Sequence, residues 1–250
     1  MNNDEKIKIN RFKDLALRSY ERGIPCFTPF LDMAEQDLLQ RGRAEYAVPF
    51  GFYGGFDGAE RVMACFDADE TEPGRYPLAV VKIKAVNMKF KGTLTHRDYL
   101  GSLMGLGIER DRLGDIVVKD GYAYVFCLKE IAPFIAENCT SVGRVTVECE
   151  MTAPGEAEDT DTKFEEIVEP LASERIDAAV ARLAQCSRSA AVALIIQGKV
   201  FINRKECKEG SDRIAPGDVI SVRGTGKFRY EGIAYTGKKG TDHGKFLKYV

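Results

Sequence analysis

The chain has 250 residues, of which 44% are hydrophobic and 30% charged, and a formal net charge of −2. These values are typical of a globular protein with one large or two moderate domains, and two domains fit better. No apolar run approaches the roughly 18 residues of a membrane span, and the charged opening MNNDEKIKINRFKD lacks the apolar core of a secretory signal. We therefore expect a cytoplasmic protein.

The cysteines and histidines indicate neither a disulfide framework nor a zinc site. The seven cysteines contain no C-x-x-C pair, and His96 lies far from His243 in sequence. Mostly buried, reduced thiols are expected. No metal ion and no cofactor is indicated.

Residues 1–75 are predicted to hold two amphipathic helices and then two strands that join the first domain. The helices and strands lie at residues 12–23, 30–42, 46–50 and 61–66. The segment GIPCFTPF separates the helices as a helix breaker. The glycines of GFYGGFDGAER lack the spacing and the strand-to-helix setting of a dinucleotide loop, so they favour tight turns.

Residues 76–152 follow the order β-α-β-β-α-β. The corresponding segments are PLAVVKIKAV, THRDYLGSLMGL, DIVVK, YAYVFCL, EIAPFIAEN and RVTVECE. Thr95 is a candidate helix cap, with Asp98 three residues later. The order predicts an α+β domain of the ferredoxin-like (split βαβ, RRM-like) type with extra helices and strands before it. Many RNA-binding modules share this fold with many other proteins, so the fold alone does not decide function.

An acidic segment at 153–170 separates two halves of opposite charge. Residues 171–250 contain fifteen Lys/Arg and eight Asp/Glu, whereas residues 1–170 contain twenty-one Lys/Arg and thirty Asp/Glu. The segment is predicted to be a solvated linker, with a negatively charged strand extension as the alternative.

Residues 171–250 are predicted to form a small module of two helices and a sheet. The first helix carries one apolar stripe and has Ser173 as a plausible cap; the second is capped by Ser187 and ends at Gly198. The side chains expected to face inward are Ile176, Ala179, Val180, Leu183, Ala191, Val192, Ile195 and Ile196. The runs KVFIN and VISVR are predicted strands, with the turn APGD before the second.

The cationic and small polar side chains of this module lie outside its predicted core. The candidate RNA-binding residues are Arg175, Arg182, Ser187, Arg188, Ser189, Lys199, Asn203, Arg204, Lys205, Arg223, Lys227, Arg229, Lys238 and Lys239. Lys and Arg neutralise phosphates, and serine hydroxyls with free N–H groups at a helix start donate to phosphate oxygens. We expect Arg188, Arg204 and Lys205 to converge on one face and to tolerate charge reversal without loss of the fold. Charge alone fits a solvated cationic face equally well.

Four aromatic residues are interleaved with cations in the final segment. They are Phe228, Tyr230, Tyr235 and Phe246. These rings are predicted either to stack on bases or to pack against the sheet edge, and the sequence favours neither.

The order of features in the C-terminal module resembles the small RNA-binding domain first recognised in ribosomal small-subunit protein four, also called the αL-type module. The matching positions are Arg175, Asp177, Leu183, Ser187, Arg188, Ser189, Ala190, Leu194, Ile195, Gly198, Val200, Asn203, Gly217 and Asp218. The resemblance implies that the Ser-Arg-Ser turn and the strand after Gly198 form an RNA-binding face. Many members have glycine where this chain has Arg204.

The phrase LTHRDYLGSLMGLGIERDRLGDIVV, placed before the acidic segment and the C-terminal module, is similar to the YlmH family of bacterial RNA-binding proteins. This resemblance implies association with ribosomal RNA of the large ribosomal subunit and with transfer RNA. It also implies a role in ribosome-associated quality control and, by gene neighbourhood, a link to cell division. We expect a monomeric, non-enzymatic binder that does not associate with membranes.

The alternative is an RNA-modifying enzyme of the pseudouridine synthase or methyltransferase type that uses the C-terminal module for docking. Asp98 or Asp115 is then the candidate catalytic residue. The tripeptide His96-Arg97-Asp98 imitates a kinase loop but lacks the accompanying kinase motifs. Arg110 and Arg112 are further candidates for RNA contact.

Overall fold

The computed structural model describes residues 3–67, 72–87, 94–152, 157, 164–237 and 240–249. The chain divides into two compact units, Met1–Asp161 and Thr162–Val250. Each unit has its own hydrophobic core.

The described part of the first unit contains four α-helices and eight strands. The helices are α1 (Asn3–Arg22), α2 (Met33–Arg41), α3 (His96–Gly105) and α4 (Ala132–Asn138). The strands are β1 (Cys26–Leu31), β2 (Phe50–Tyr53), β3 (Val62–Phe66), β4 (Leu78–Ala85), β5 (Leu113–Lys119), β6 (Tyr122–Leu128), β7 (Ser141–Val142) and β8 (Val145–Thr152).

The N-terminal strands form a three-stranded antiparallel sheet in the order β1-β3-β2. The segment GIPCFTPF separates α1 from α2 as predicted, and it also contributes most of the strand β1, which pairs with β3. The strand predicted at 46–50 begins only at Phe50, because Pro49 has no N–H to donate to a strand partner.

The β-α-β-β-α-β segment forms a five-stranded sheet in the order β5-β6-β4-β8-β7, and its neighbouring strands are antiparallel. Helices α3 and α4 contribute Leu103 and Ile135 to one buried cluster with Ile83 of β4. The cap of α3 forms as predicted: Asp98 Oδ2 accepts a hydrogen bond of 2.8 Å from the Thr95 N–H.

The second unit packs two helices against one sheet. Its elements are β9 (Phe164–Leu171), α5 (Ile176–Leu183), α6 (Arg188–Ile196), β10 (Val200–Ile202), β11 (Lys205–Glu206), β12 (Val219–Val222), β13 (Gly226–Thr236) and β14 (Asp242–Tyr249). The sheet order is β11-β10-β12-β13-β14-β9. Apolar residues of both helices and of the sheet form one core.

The structure differs from the predicted linker over residues 164–170, which belong to the edge strand β9. Ile167 lies opposite Phe246 of β14 and packs against the core. Between such apolar positions, Glu166 forms an ion pair of 2.7 Å with Lys245. This part of the acidic segment therefore corresponds to the alternative, a negatively charged strand extension.

One residue expected inside the helix pair lies outside it. Ile196 is 76% exposed, whereas Ala191 and Ile195 are buried. Successive helical residues are about 100° apart, so the residue after Ile195 turns away from the face that packs on α5. Val192 is half-buried.

Asp115 connects the two sheets of the first unit. Its carboxylate accepts hydrogen bonds from the backbone N–H groups of Glu60, at 2.6 Å, and Arg61, at 3.1 Å. We expect Asp115→Ala to lower the free energy of unfolding by about 1 kcal/mol, because two N–H groups lose their acceptor. Asp115→Asn, which keeps one carbonyl oxygen, is the matched control and should lose less. Urea unfolding of both variants measures this, and equal stability of all three proteins would contradict it.

Candidate nucleic-acid interface

The N-terminus of α6 presents exposed polar groups. Ser187 Oγ accepts a hydrogen bond of 3.1 Å from the Ala190 N–H and lies 2.9 Å from Ser189 Oγ. Both serines and Arg188 are exposed. The partial positive charge and unpaired N–H groups of a helix start favour an anion at this end.

A single buried carboxylate holds two arginines beside this helix end. Asp177 is only 4% exposed. Arg188 donates two hydrogen bonds of 3.0 Å to its two carboxylate oxygens. Arg175 donates two more, at 3.3 and 3.0 Å. We call this group the Asp177 clamp; it fixes both guanidinium groups while about half of each arginine side chain stays exposed.

The clamp also sets the charge state of the carboxyl group. Burial opposes ionisation of Asp177, but the hydrogen bonds and charges of Arg188 and Arg175 outweigh it, so its pKa lies below the ordinary value. The carboxylate is therefore ionised at neutral pH.

The expectation that reversing the charge of Arg188 leaves the fold intact does not agree with this geometry. A glutamate at position 188 would face the buried carboxylate of Asp177 and would remove two of its donors. The loss of one partner of a buried charge is strongly destabilising.

The turn between β10 and β11 carries the next pair of cations. Ile202 pairs with Lys205, so Asn203 and Arg204 form a two-residue turn, and both have positive φ angles of 50° and 68°. Asn203 donates to Asp218 Oδ1 at 2.7 Å and accepts from the Val219 N–H at 2.9 Å. The side-chain amide of Asn203 is thus committed to the fold, while Lys205 is exposed and Arg204 half-buried.

Lys199 and Arg223 are neighbours at the other end of β10. The Arg223 N–H donates to the Lys199 carbonyl at 2.9 Å. The Arg223 guanidinium lies 5.4 Å from the centre of the Phe201 ring. Arg182 is exposed on the last turn of α5.

The cationic side chains of β13 make contacts with other residues of the second unit. Lys227 is only 9% exposed, and its ammonium lies 4.6 Å from the centre of the Tyr249 ring. Arg229 forms a hydrogen bond of 2.6 Å with Glu231 and lies over Phe164. The ammonium of Lys227 is therefore largely covered, and the guanidinium of Arg229 shares its charge with Glu231. Lys238 and Lys239 lie outside the described residues.

The four aromatic candidates divide into core and surface. Phe228, Tyr230 and Phe246 belong to the core of the second unit. Tyr235 is 54% exposed and stacks on His243, with 4.4 Å between the ring centres. The prediction of base stacking is therefore wrong for Phe228, Tyr230 and Phe246, because their ring faces are buried in this core.

Candidate residues of the first unit have structural partners. Arg110 donates to the carbonyls of Leu113 and Gly114, and burial together with the charge of Arg61 lowers its pKa to about 10. Arg112 forms an ion pair of 2.8 Å with Glu130. Arg110 is thus turned to the protein rather than to solvent.

Sequence reasoning missed two features of the interface. It included Asp177 as a matching position but gave it no role, although an acid two residues after one arginine and eleven before another is the available signal. It also missed Arg213, which is exposed and whose backbone pairs with that of Arg175. No local pattern marks Arg213, because that pairing connects distant segments.

Neither a membrane span nor a metal cluster is evident in the parts of the chain that the structure describes. No single helix there is long and apolar enough to cross a membrane, although α5 and α6, bent by 107°, pass on length and composition when taken together. Within the same ranges, no group of three or more His, Cys, Asp or Glu side chains is arranged to hold a metal ion.

The second unit is a small module of two helices and one sheet, and within it residues 174–220 match the family model of the S4 domain. Residues 72–155 match the family model described as "Putative RNA-binding domain in YlmH".

Two known proteins are similar over most of their length. "Ribosome-associated protein quality control protein P2" of Bacillus subtilis (strain 168) is 30% identical over 203 residues, which cover 80% of this chain and 78% of that protein. The solved structure "Cell division protein ylmH from Streptococcus pneumoniae" has a TM-score of 0.52 and 22% identity, and covers 62% of this chain and 95% of its own. The first likeness and the domain matches show that the chain belongs to the YlmH family with a C-terminal S4 domain; the second supports the fold alone.

The clamp predicts a pH-dependent stability. We expect Asp177→Asn to lower the free energy of unfolding by about 1–3 kcal/mol at pH 7, because two guanidinium groups lose a charged acceptor. The pKa of Asp177 is lower in the folded protein, so its contribution is present above about pH 4 and is lost as the pH falls through the lowered value. The difference between the two proteins should therefore shrink below about pH 4.

Hydrogen exchange of the α5 and α6 amides, followed between pH 3 and 7, measures this difference. Glu231→Gln is the matched control, since it breaks the more exposed pair with Arg229 and should cost less than about 1 kcal/mol. A constant difference across the pH range would contradict the role of the clamp.

The turn at Arg204 predicts a stabilising substitution. Arg204 holds a left-handed conformation that costs a non-glycine residue about 1 kcal/mol, so Arg204→Gly should raise the free energy of unfolding by a similar amount. Asn203→Gly also suits the turn but removes the bonds to Asp218 and Val219, and should destabilise the protein. Urea unfolding distinguishes the two, and a destabilised Arg204→Gly protein would contradict the argument.

Proposed function

We propose that this protein is a non-catalytic RNA-binding protein that associates with the ribosome in the cytoplasm and acts in ribosome-associated quality control. Its RNA partners in this proposal are ribosomal RNA of the large subunit and transfer RNA, and it acts as a monomer. The observation that carries the proposal is the Asp177 clamp beside the exposed, serine-capped start of α6.

The geometry suits the binding of phosphates. Two guanidinium groups are positioned in advance, so little side-chain entropy is lost when a phosphate binds. The helix start adds N–H donors and a partial positive charge. Phosphate contacts of this kind position a protein on folded RNA without reading its bases.

The distribution of charge favours this side of the module. Lys245 and Lys248 on β14 face Glu166 and Glu165 on β9, at 2.7 and 3.6 Å. The acidic edge strand thus offsets the cations of β14. Strand β11, which follows the β10–β11 turn, is at the opposite edge of the sheet from β9, and Lys205 there is exposed.

The relatives support the ribosomal setting. The name of the Bacillus subtilis protein places that protein in ribosome-associated quality control. The S4 domain and the YlmH domain matches support RNA binding by both units. We further infer that residues 78–152 are a ferredoxin-like unit, since strands β5-β6-β4-β8 have the order and antiparallel pairing of a split βαβ fold.

The enzyme alternative has no specific observation in its favour. Asp98 caps α3, and Asp115 binds two backbone N–H groups. In our proposal, incubation of the protein with ribosomal RNA, transfer RNA and a methyl donor leaves the nucleoside composition unchanged. A new pseudouridine or methylated nucleoside that Asp98→Ala or Asp115→Ala abolishes would overturn the non-catalytic role.

A pair of double variants tests the RNA face. Arg204→Gly with Lys205→Gln removes two cations from the β10–β11 turn and keeps a favourable turn conformation. We expect it to weaken co-sedimentation with large ribosomal subunits and to lower the slope of log affinity against log salt by about 1–2, because each phosphate contact adds about 0.7–0.9 to that slope.

Lys245→Gln with Lys248→Gln is the matched control. It removes the same charge from side chains that already face Glu166 and Glu165, so it should change binding less. Equal losses in the two double variants would show that only net charge matters. An unchanged salt slope in the turn variant would overturn the proposed face.

A further inference from the structure

The outer face of the five-stranded sheet, opposite the cluster that holds α3 and α4, carries lysines around aromatic rings. Tyr122 of β6 lies directly between Lys119 of β5 and Lys84 of β4 in the register of the sheet. In the next row on the same face, Tyr124 pairs with Lys82. Side chains in adjacent strands and alternate positions of a strand share one face.

Distances confirm that these groups form one patch. The Lys82 ammonium lies 5.1 Å from the ring centre of Tyr122 and 5.9 Å from that of Tyr124. The two tyrosine rings meet edge to face, with centres 5.4 Å apart. Tyr122 and Lys82 are half-buried and Lys84 is exposed. We call Tyr122, Tyr124, Lys82, Lys84 and Lys119 the tyrosine–lysine patch.

The patch has defined borders. At one end Phe56 and the buried Ala157 pack against Phe126, which continues the tyrosine row along β6. On the β8 side, Glu150 approaches Lys82 at 3.5 Å, and Glu148 lies opposite Lys84. These two glutamates offset part of the charge of the lysines on β4, and Lys119 on β5 lies farthest from them in the sheet order.

Charge decides what this face can bind. The cross-strand neighbours of Tyr122 are both lysines, and its apolar contacts are with the cluster that contains Tyr124 and Phe126 of the same strand. A half-exposed aromatic ring beside ammonium groups suits a nucleotide, because a base can stack on the ring and phosphates can meet the cations.

We propose that the tyrosine–lysine patch binds an unpaired RNA nucleotide, with its base on Tyr122 and its flanking phosphates at Lys84 and Lys119. The inference rests on the proposed function and deepens it, since it assigns to the first unit a contact with single-stranded RNA. The second unit binds phosphates of folded RNA, whereas this site requires an exposed base.

The absence of tryptophan from the chain allows a direct test. The full-length Tyr122→Trp variant places a single tryptophan in the patch, and a base stacked on it quenches its fluorescence. Phe134→Trp is the matched control, because Phe134 is 45% exposed on α4, which packs against the opposite face of the sheet. Short single-stranded polyuridine is the probe. We expect saturable quenching in the first variant and none in the second; no quenching in the first, or equal quenching in both, would overturn the assignment.

Affinity measurements separate stacking from packing. Tyr122→Leu keeps an apolar side chain but removes the ring, and should weaken polyuridine binding about tenfold, whereas Tyr122→Phe should bind like the parent chain. Lys84→Gln with Lys119→Gln should weaken binding and lower its salt dependence. A Tyr122→Leu protein that binds polyuridine as tightly as the parent chain refutes the site, whatever its thermal stability.

The two proposals can fail separately. If the parent chain sediments with large subunits while the Tyr122 variants bind polyuridine normally, the patch is wrongly assigned and the proposed function stands. If polyuridine quenches the Tyr122→Trp variant but the parent chain binds neither ribosomes nor transfer RNA, the patch stands and the proposed function fails.

Discussion

The second unit depends on the pairing of one buried carboxylate with two half-exposed arginines. An unpaired charge at the position of Asp177 would be costly, and four hydrogen bonds from Arg175 and Arg188 remove that cost. The backbone of Asp177 also binds the segment around Gly210, since the Asp177 N–H donates a hydrogen bond of 3.2 Å to the Gly210 carbonyl. The interaction that closes the core thus also fixes the direction of the guanidinium groups that we propose bind phosphate, so folding and preorganisation of this face have a common cause.

The net charge of this chain does not show which surfaces are cationic; the positions and partners of the charged residues do. The net charge of −2 combines an acidic first part with a basic last part, and the basic part is itself divided. On β14 the lysines face the glutamates of β9, and on β13 Lys227 and Arg229 lie over aromatic rings. Such cations contribute to sheet packing through their aliphatic stems and cation–π contacts. At the helix starts, by contrast, the carboxylate that Arg175 and Arg188 share is buried beneath them, and about half of each arginine side chain stays exposed.

Local chemistry made part of the fold predictable from the sequence. The capping pairs at Thr95 with Asp98 and at Ser187 depend on residues within one turn, and both form. The role of 164–170 could not be found this way, because an isolated acidic run becomes a strand only when β14, more than seventy residues later, pairs with it. The same limit applies to the site. Arg188 and Arg204 are visible as cations in the sequence, but the partner of Arg188 and the left-handed turn at Arg204 follow from tertiary contacts.

The two proposed RNA surfaces both include phosphate contacts, and only the tyrosine–lysine patch adds base stacking. Phosphate binding by the Asp177 clamp, the β10–β11 turn and the lysines of the patch weakens as salt is added, whereas the stacking of a base on Tyr122 adds a contribution that does not depend on phosphate charge. Because both surfaces lie on one chain, binding of the second surface to the same RNA is intramolecular. In these proposals, a weak stacking contact extends the residence of the chain on RNA, whereas the cations of the second unit set the encounter rate. Charge would thus bring the chain to folded RNA, and the ring of Tyr122 would retain it where a base is unpaired.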